Sequence, residues 1–252
     1  MIYKNRSQSK KETGLSYLGK VNNSTKHEKA YKFEELVYTL YLSPGNLSGY
    51  EVCPMRNKYC TKVCLHESGH NKMDIHENKI NKSRIKKTKM FFEDREFFVR
   101  WMIDEIKHSY EQSKKWGYHF SVRLNNTSDI NPESFYIDDN GTKKNILQLF
   151  PDVQFYDYTK VPNRVKLLQK YPNYDLTFSY DGTNLNTCLD MLRNNIRVAM
   201  VFNEVPENFV NHKVINGDNY DMRYRDETNV IVGLKFKKVR NKLTEDNPFV
   251  IQ

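Results

Sequence analysis

The segment Cys53-Pro54-Met55-Arg56-Asn57-Lys58-Tyr59-Cys60-Thr61-Lys62-Val63-Cys64 holds three of the chain's four cysteines within twelve residues, and His66 and His70 follow it closely. Thiolates are soft donors that bind zinc and iron, and three on one short loop can converge on one centre without long-range closure. Two centres compete for this loop. A structural zinc ion would take Cys53, Cys60, Cys64 and a fourth ligand, with His66 or His70 nearest to hand. A [4Fe-4S] cluster on the same three cysteines would leave one iron without a protein thiolate, open to a substrate or to S-adenosylmethionine. Three unligated buried thiols are the remaining reading. Cys188 stands apart, on a helical apolar stripe with Leu185, Leu189 and Leu192, which makes it a core residue.

Polar side chains cluster at the ends of several strand-like runs. Asn125, Asn126, Ser128 and Asp129 follow one run, Asp157 and Lys160 end another, Ser179 and Asp181 a third, Asn203 and Glu204 a fourth. In a barrel these sets would face one mouth together with the cysteine loop. Ser128, Asp129, Asp157, Ser179 and Asn203 are therefore the candidate cofactor contacts. Each is equally a residue type that forms turns or caps helices. Asp218, Asp221, Arg223, Arg225 and Asp226 form a mixed segment that would either line the mouth or pair internally. No G-x-S-x-G elbow is present, so a serine hydrolase has no support.

The elements that must carry these residues can be read from periodicity. A run rich in β-formers begins at Leu36 and ends before Ser43-Pro44-Gly45, which puts the cysteine loop just beyond the first strand's C-terminal end. Further strands are expected over Tyr118 to Leu124, Val153 to Thr159, Leu176 to Ser179, Ile196 to Phe202, Val214-Ile215 and Val230 to Phe236. Phe98, Met102, Ile106 and Tyr110 recur at i+4, predicting an amphipathic helix that ends at Gly117. The basic run Lys79, Lys82, Arg84, Lys86, Lys87 and Lys89 is either a phosphate-contacting helix or a solvated helix face. Strand and helix alternate at βαβ spacing. The expected fold is thus α/β, a parallel βα barrel or partial barrel of six or seven strands, with an open doubly wound sheet as the alternative. Residues 1–30 are expected to form a flexible basic arm and residues 31–252 a single barrel-like domain.

With 40 Lys and Arg against 31 Asp and Glu, the formal net charge is +9, which suits a nucleotide or nucleic-acid partner or simply a soluble basic surface. No run of about 20 apolar residues is present, so no bilayer-spanning helix is expected. Met1 to Lys11 lacks the apolar core of a signal peptide, and the reading is a cytoplasmic protein whose thiols stay reduced.

The order Leu42-Ser43-Pro44, Cys53-Pro54, Cys60, Cys64, Arg123-Leu124-Asn125-Asn126-Thr127-Ser128-Asp129, Phe155-Tyr156-Asp157-Tyr158-Thr159-Lys160, Leu176-Thr177-Phe178-Ser179 and Gly217-Asp218 resembles the phage gene product 88 family. The resemblance runs from about Tyr31 to Phe249. That family is similar to radical S-adenosylmethionine proteins, in which a cysteine loop after the first barrel strand holds a [4Fe-4S] cluster. The resemblance implies Cys53, Cys60 and Cys64 as cluster ligands. Their intervals of six and three residues depart from the usual C-x3-C-x2-C spacing.

Overall fold

The computed structural model describes residues 1–64, 79–237 and 247–252. In chain order the strands are β1 Gly19–Val21, β2 Glu35–Leu40, β3 His119–Arg123, β4 Tyr136–Asp139, β5 Thr142–Asn145, β6 Gln154–Thr159, β7 Tyr174–Ser179, β8 Val198–Phe202, β9 Asn208–Phe209, β10 His212–Asn216, β11 Ile231–Lys235 and β12 Val250–Ile251. The central sheet pairs in the order β1-β2-β3-β6-β7-β8-β11-β10-β9, and the run from β2 to β10 is parallel throughout. Antiparallel β1 and β9 flank it. The architecture is α/β with a mostly parallel central sheet, as the alternation of strand and helix predicts. β4 and β5 form a separate hairpin. Its Asn140-Gly141 turn has positive φ at both residues, a backbone that matches the twist of paired strands.

Side chains alternate across each strand, so the sheet has two chemically distinct faces. Leu36, Tyr38 and Leu40 of β2 share one face with Phe120 and Val122 of β3, Phe155 of β6 and Leu176 of β7. Against this face packs the helix Arg95–Trp116, through Phe98, Met102 and Ile106. Asp94 caps the helix start, accepting from the Phe97 amide, and Gly117 closes its end at φ 71°. The other face carries Glu35, Val37 and Thr39, then Ser121 and Arg123, Tyr156 and Tyr158, Asp175 and Thr177, all buried except half-buried Tyr158 and Asp175.

Residues 1–30, read from sequence as an arm, are docked on this body. They contain the helix Arg6–Thr13 and β1, and Glu105 of the long helix receives the Leu18 and Gly19 amides and the Tyr38 hydroxyl. Leu18 and His27 are buried. Periodicity gave no sign of this docking because a few isolated apolar residues and one side-chain anchor hold the segment.

The expected strands over Leu36 to Leu42, Tyr118 to Leu124, Val153 to Thr159, Leu176 to Ser179, Ile196 to Phe202, Val214-Ile215 and Val230 to Phe236 correspond to β2, β3, β6, β7, β8, β10 and β11. β7 leaves β8 after Ser179 meets Ala199, and β12 takes up the same edge at Val201 and Phe202. No helix among the described residues is long and apolar enough to cross a membrane.

Candidate functional site

The cysteine loop leaves β2 at its C-terminal end and is tied down along its length. The Ser43 amide donates to Thr88 Oγ1 at 2.8 Å, the Thr127 hydroxyl to the Leu42 carbonyl at 2.6 Å and the Asp129 amide to the Val52 carbonyl at 2.7 Å. Glu51 receives the Cys53 amide and Arg56 Nε, both at 2.8 Å. Asn57 caps the short helix Lys58–Lys62, its side-chain oxygen taking the Tyr59 and Cys60 amides, which fixes Cys60 in the first turn. The Asn57 amide group also reaches the Asp181 carbonyl at 3.0 Å, and Asn247 reaches the Tyr59 carbonyl at 3.2 Å. The loop is therefore joined to the end of β7 and to the segment before β12.

Cys53, Cys60 and Cys64 are free and half-buried on this loop. Burial pushes the Cys53 thiol up to about 11, so ligation there would require loss of a proton against that burial. Cys53 lies within electrostatic reach of Cys64, and Arg56 within reach of Cys53 and Cys60. The donor chemistry suits a thiophilic metal. Among the described residues, however, no group of three or more His, Cys, Asp or Glu side chains is gathered tightly enough to hold an ion. His66 and His70, the other candidate zinc ligands, lie outside the described residues. Glu51, Pro54, Arg56, Asn57, Lys58, Thr61 and Lys62 line an open cleft of about 570 Å³ on the loop's outer side.

The strand-end residues separate into two groups. Ser128, Asp129 and Asp157 come together in one buried knot. Asp157 receives the Asn125 amide at 2.7 Å, Asn125 Nδ2 at 3.1 Å and the Tyr174 hydroxyl at 3.0 Å, and Ser128 donates to Asn125 Oδ1 at 2.9 Å. Asp129 receives Arg164 Nη1 at 2.7 Å and the Lys160 amide at 2.8 Å. Burial pushes the Asp157 carboxyl up to about 6, with Arg164 and the Asn125 amide opposing the rise. Ser179 and Asn203 stand outside this knot. Ser179 ends β7 on the polar face, and Asn203 is exposed, its amide donating to the Ile251 carbonyl at 2.8 Å.

The polar face of the sheet carries a constellation that sequence reasoning left unassembled. Asp221, fully buried, receives Arg123 Nη1 at 2.6 Å, contacts His27 Nε2 at 3.0 Å and takes the Tyr156 hydroxyl at 3.1 Å; Lys26 Nζ is 3.4 Å from its other oxygen. Burial works against this carboxylate, but Arg123, Lys26 and His27 overcome it and hold its carboxyl well below the usual range. Burial lowers the Lys26 ammonium, with Asp221 opposing. Arg225 pairs with Glu35 at 2.8 Å and Arg223 with Asp226 at 3.1 Å, while Arg197 meets Asp175. The mixed segment Asp218 to Asp226 thus does both things expected of it, pairing internally through Arg223 and lining the polar face through Asp221.

The basic run becomes the helix Lys79–Glu93, whose Arg84, Lys87, Thr88 and Phe91 are buried at helical spacing while Lys79, Lys82, Lys86 and Lys89 are exposed. Arg84 lies over the Tyr41 ring, 5.0 Å from its centre, and within electrostatic reach of Cys64. Tyr41 in turn feels Arg123 and Asp221. A continuous line of side chains therefore joins the cysteine loop to the buried carboxylate. The signal available in sequence was the spacing of Arg84, Thr88 and Phe91, one polar and one apolar residue on a common stripe.

With this geometry in hand, the chain belongs to the gene product 88 family, whose family model matches residues 4–249. No curated protein and no solved structure matches it significantly.

Proposed function

We propose that this member of the gene product 88 family is an iron-sulfur protein of radical S-adenosylmethionine type, in which Cys53, Cys60 and Cys64 would hold a [4Fe-4S] cluster at the mouth of a partial βα barrel. The observation that carries the reading is the position of the cysteine loop. It leaves the first strand of a parallel run whose members β2, β3, β6, β7 and β8 lie side by side in chain order, at the strand ends where such sheets keep their chemistry. It is joined to the sheet's polar face through Arg84, Tyr41 and Arg123. When bound, such a cluster supplies one-electron chemistry.

The chain's own residues would do the rest. The loop's anchors at Thr88, Thr127 and Asn57 hold the three thiols in place, and Ser179 offers a hydroxyl on the polar face for a cofactor such as S-adenosylmethionine. Ser128, Asp129 and Asp157 would act on that pocket through the knot that fixes the β3 and β6 ends, and Asn203 would stand at its outer rim. The basic balance of the chain suits a nucleotide or nucleic-acid substrate.

A second reading has one observation behind it, the cleft beside the loop with Arg56, Lys58 and Lys62 on its walls. It makes the chain a non-enzymatic nucleic-acid-binding protein of a phage, with zinc on the same cysteines and His66 or His70. Metal content separates the two. Protein purified without oxygen is assayed for iron, sulfide and zinc, then for cleavage of S-adenosylmethionine under reduction. Iron and sulfide near about four per chain with reductive cleavage support the enzyme. Stoichiometric zinc without iron sinks it and leaves the binding protein.

A further inference from the structure

We propose that Arg84, Arg123 and Lys26 form a binding site for the phosphate group of a small phosphate ester, at the edge of the polar face beside the cysteine loop. Three observations converge on it. The first is burial of cationic donors with bonding capacity left over. Arg84 is 7% exposed and Arg123 9%, and Arg84 Nη1 and Arg123 Nε are buried without a hydrogen bond. A buried guanidinium N–H is costly to leave unpaired, so such donors mark a place where an acceptor belongs. Guanidinium groups present planar forks that match phosphate oxygens.

The second is charge. Asp221 serves both Arg123 and Lys26, and Arg84 has no carboxylate partner among the described residues. The neighbouring carboxylates are committed elsewhere: Glu35 to Arg225, Asp226 to Arg223, and Asp218 to Lys237. Three cations thus share one carboxylate, an excess that a phosphate monoester of charge about −1.5 to −2 balances and a single carboxylate does not.

The third is access. Lys26 has 22% of its side chain exposed, and Tyr41, Ser24, Asn126 and Tyr158 around it are half-buried, so solvent reaches the rim of the site while its floor stays buried. Because Arg84 also lies within reach of Cys64, an ester held here would have its remaining atoms available to the cysteine loop. Its role as substrate rests on the reading of that loop as a metal centre; its affinity for phosphate does not.

Titration calorimetry of the full chain with inorganic phosphate and with adenosine monophosphate tests the site, with acetate as the competing carboxylate and iron content measured on each sample. Both phosphates are expected to bind, and acetate to fail to displace them. Arg84→Gln should weaken binding about tenfold to a hundredfold, the worth of a lost charge-assisted hydrogen bond. Arg84→Lys should recover part of it, and the exposed Lys89→Gln should bind as the unaltered chain does. All variants are compared at an unchanged thermal midpoint, which Arg84→Lys secures if Arg84→Gln fails to fold. Absence of phosphate binding, equal competition by acetate, or wild-type binding in both Arg84 variants overturns the proposal. Metal-free protein that binds phosphate through Arg84 upholds the site and counts against the iron reading; iron-loaded protein that binds none does the reverse.

Discussion

Arg123 Nη1 donates to Asp221 Oδ2 at 2.6 Å, linking β3 to a segment 98 residues further along the chain. Both groups lie beneath the sheet's covering segments, and the same carboxylate holds His27 and Lys26 of the N-terminal region. One acidic side chain thereby fastens three distant parts of the chain to a single point.

Removing that charge should be severe. Asp221→Asn leaves Arg123 buried without its counter-charge, and breaking a buried pair in this way costs about 3–5 kcal/mol. Urea unfolding of the variant checks it. A change below about 1 kcal/mol, the size expected of an exposed pair, would show that the network is solvated.

Asp157 gives the chain a pH-dependent term. Its folded carboxyl is raised to about 6, above the usual unfolded value of about 3.9, so the folded state holds this proton more tightly. The stability it contributes is present below about pH 4 and is lost as pH rises through about 6, on the order of 3 kcal/mol for a shift of about two units. Denaturation curves between those limits should show this slope in the unaltered chain and a flatter one in Asp157→Asn.

Gly182 admits no side chain. Its φ is 97°, and an added Cβ would stand 2.9 Å from the Phe249 amide nitrogen. Gly182→Ala should cost about 1–3 kcal/mol through backbone strain and displacement of the segment before β12. Hydrogen exchange at Val250 and Ile251 should accelerate in the variant more than at β2 or β3.

The loop cysteines and Cys188 should part ways under substitution. Cys53→Ser, Cys60→Ser and Cys64→Ser are each expected to lose bound metal from protein isolated without oxygen. Cys188→Ser, which buries a hydroxyl in the cluster around Leu192 and Met200, should retain metal and lose about 1–3 kcal/mol of stability. Metal retained in all three loop variants would remove the cysteine centre.

Much of the sheet is legible in the sequence because its strands alternate or run apolar. Val37 and Thr39 against Leu36, Tyr38 and Leu40 give β2, and the apolar stretch around Ala199 gives β8. β1 and β12 are too short to register as periodic, and both depend on partners supplied by strands far away in sequence. The polar face resisted reading for another reason. Arg84, Arg123, Lys26 and Asp221 are charged residues scattered over the chain, and their types predict exposure; only the pairing of one with another makes their burial tolerable. Asp157 sits between the apolar Phe155 and the turn at Lys160, where spacing alone cannot tell a knot that fixes backbone from a ligand contact.

The sharing of one β8 edge by β7 and β12 bears on how the chain is made. When β8 emerges from the ribosome, Val198 and Ala199 can pair with β7 at once, but Val201 and Phe202 must wait about fifty residues for Val250 and Ile251. Until then a nascent chain presents an apolar, hydrogen-bond-hungry strand end, the kind of edge that recruits other chains. Slow translation or truncation ahead of residue 250 would therefore be expected to favour aggregation through β8.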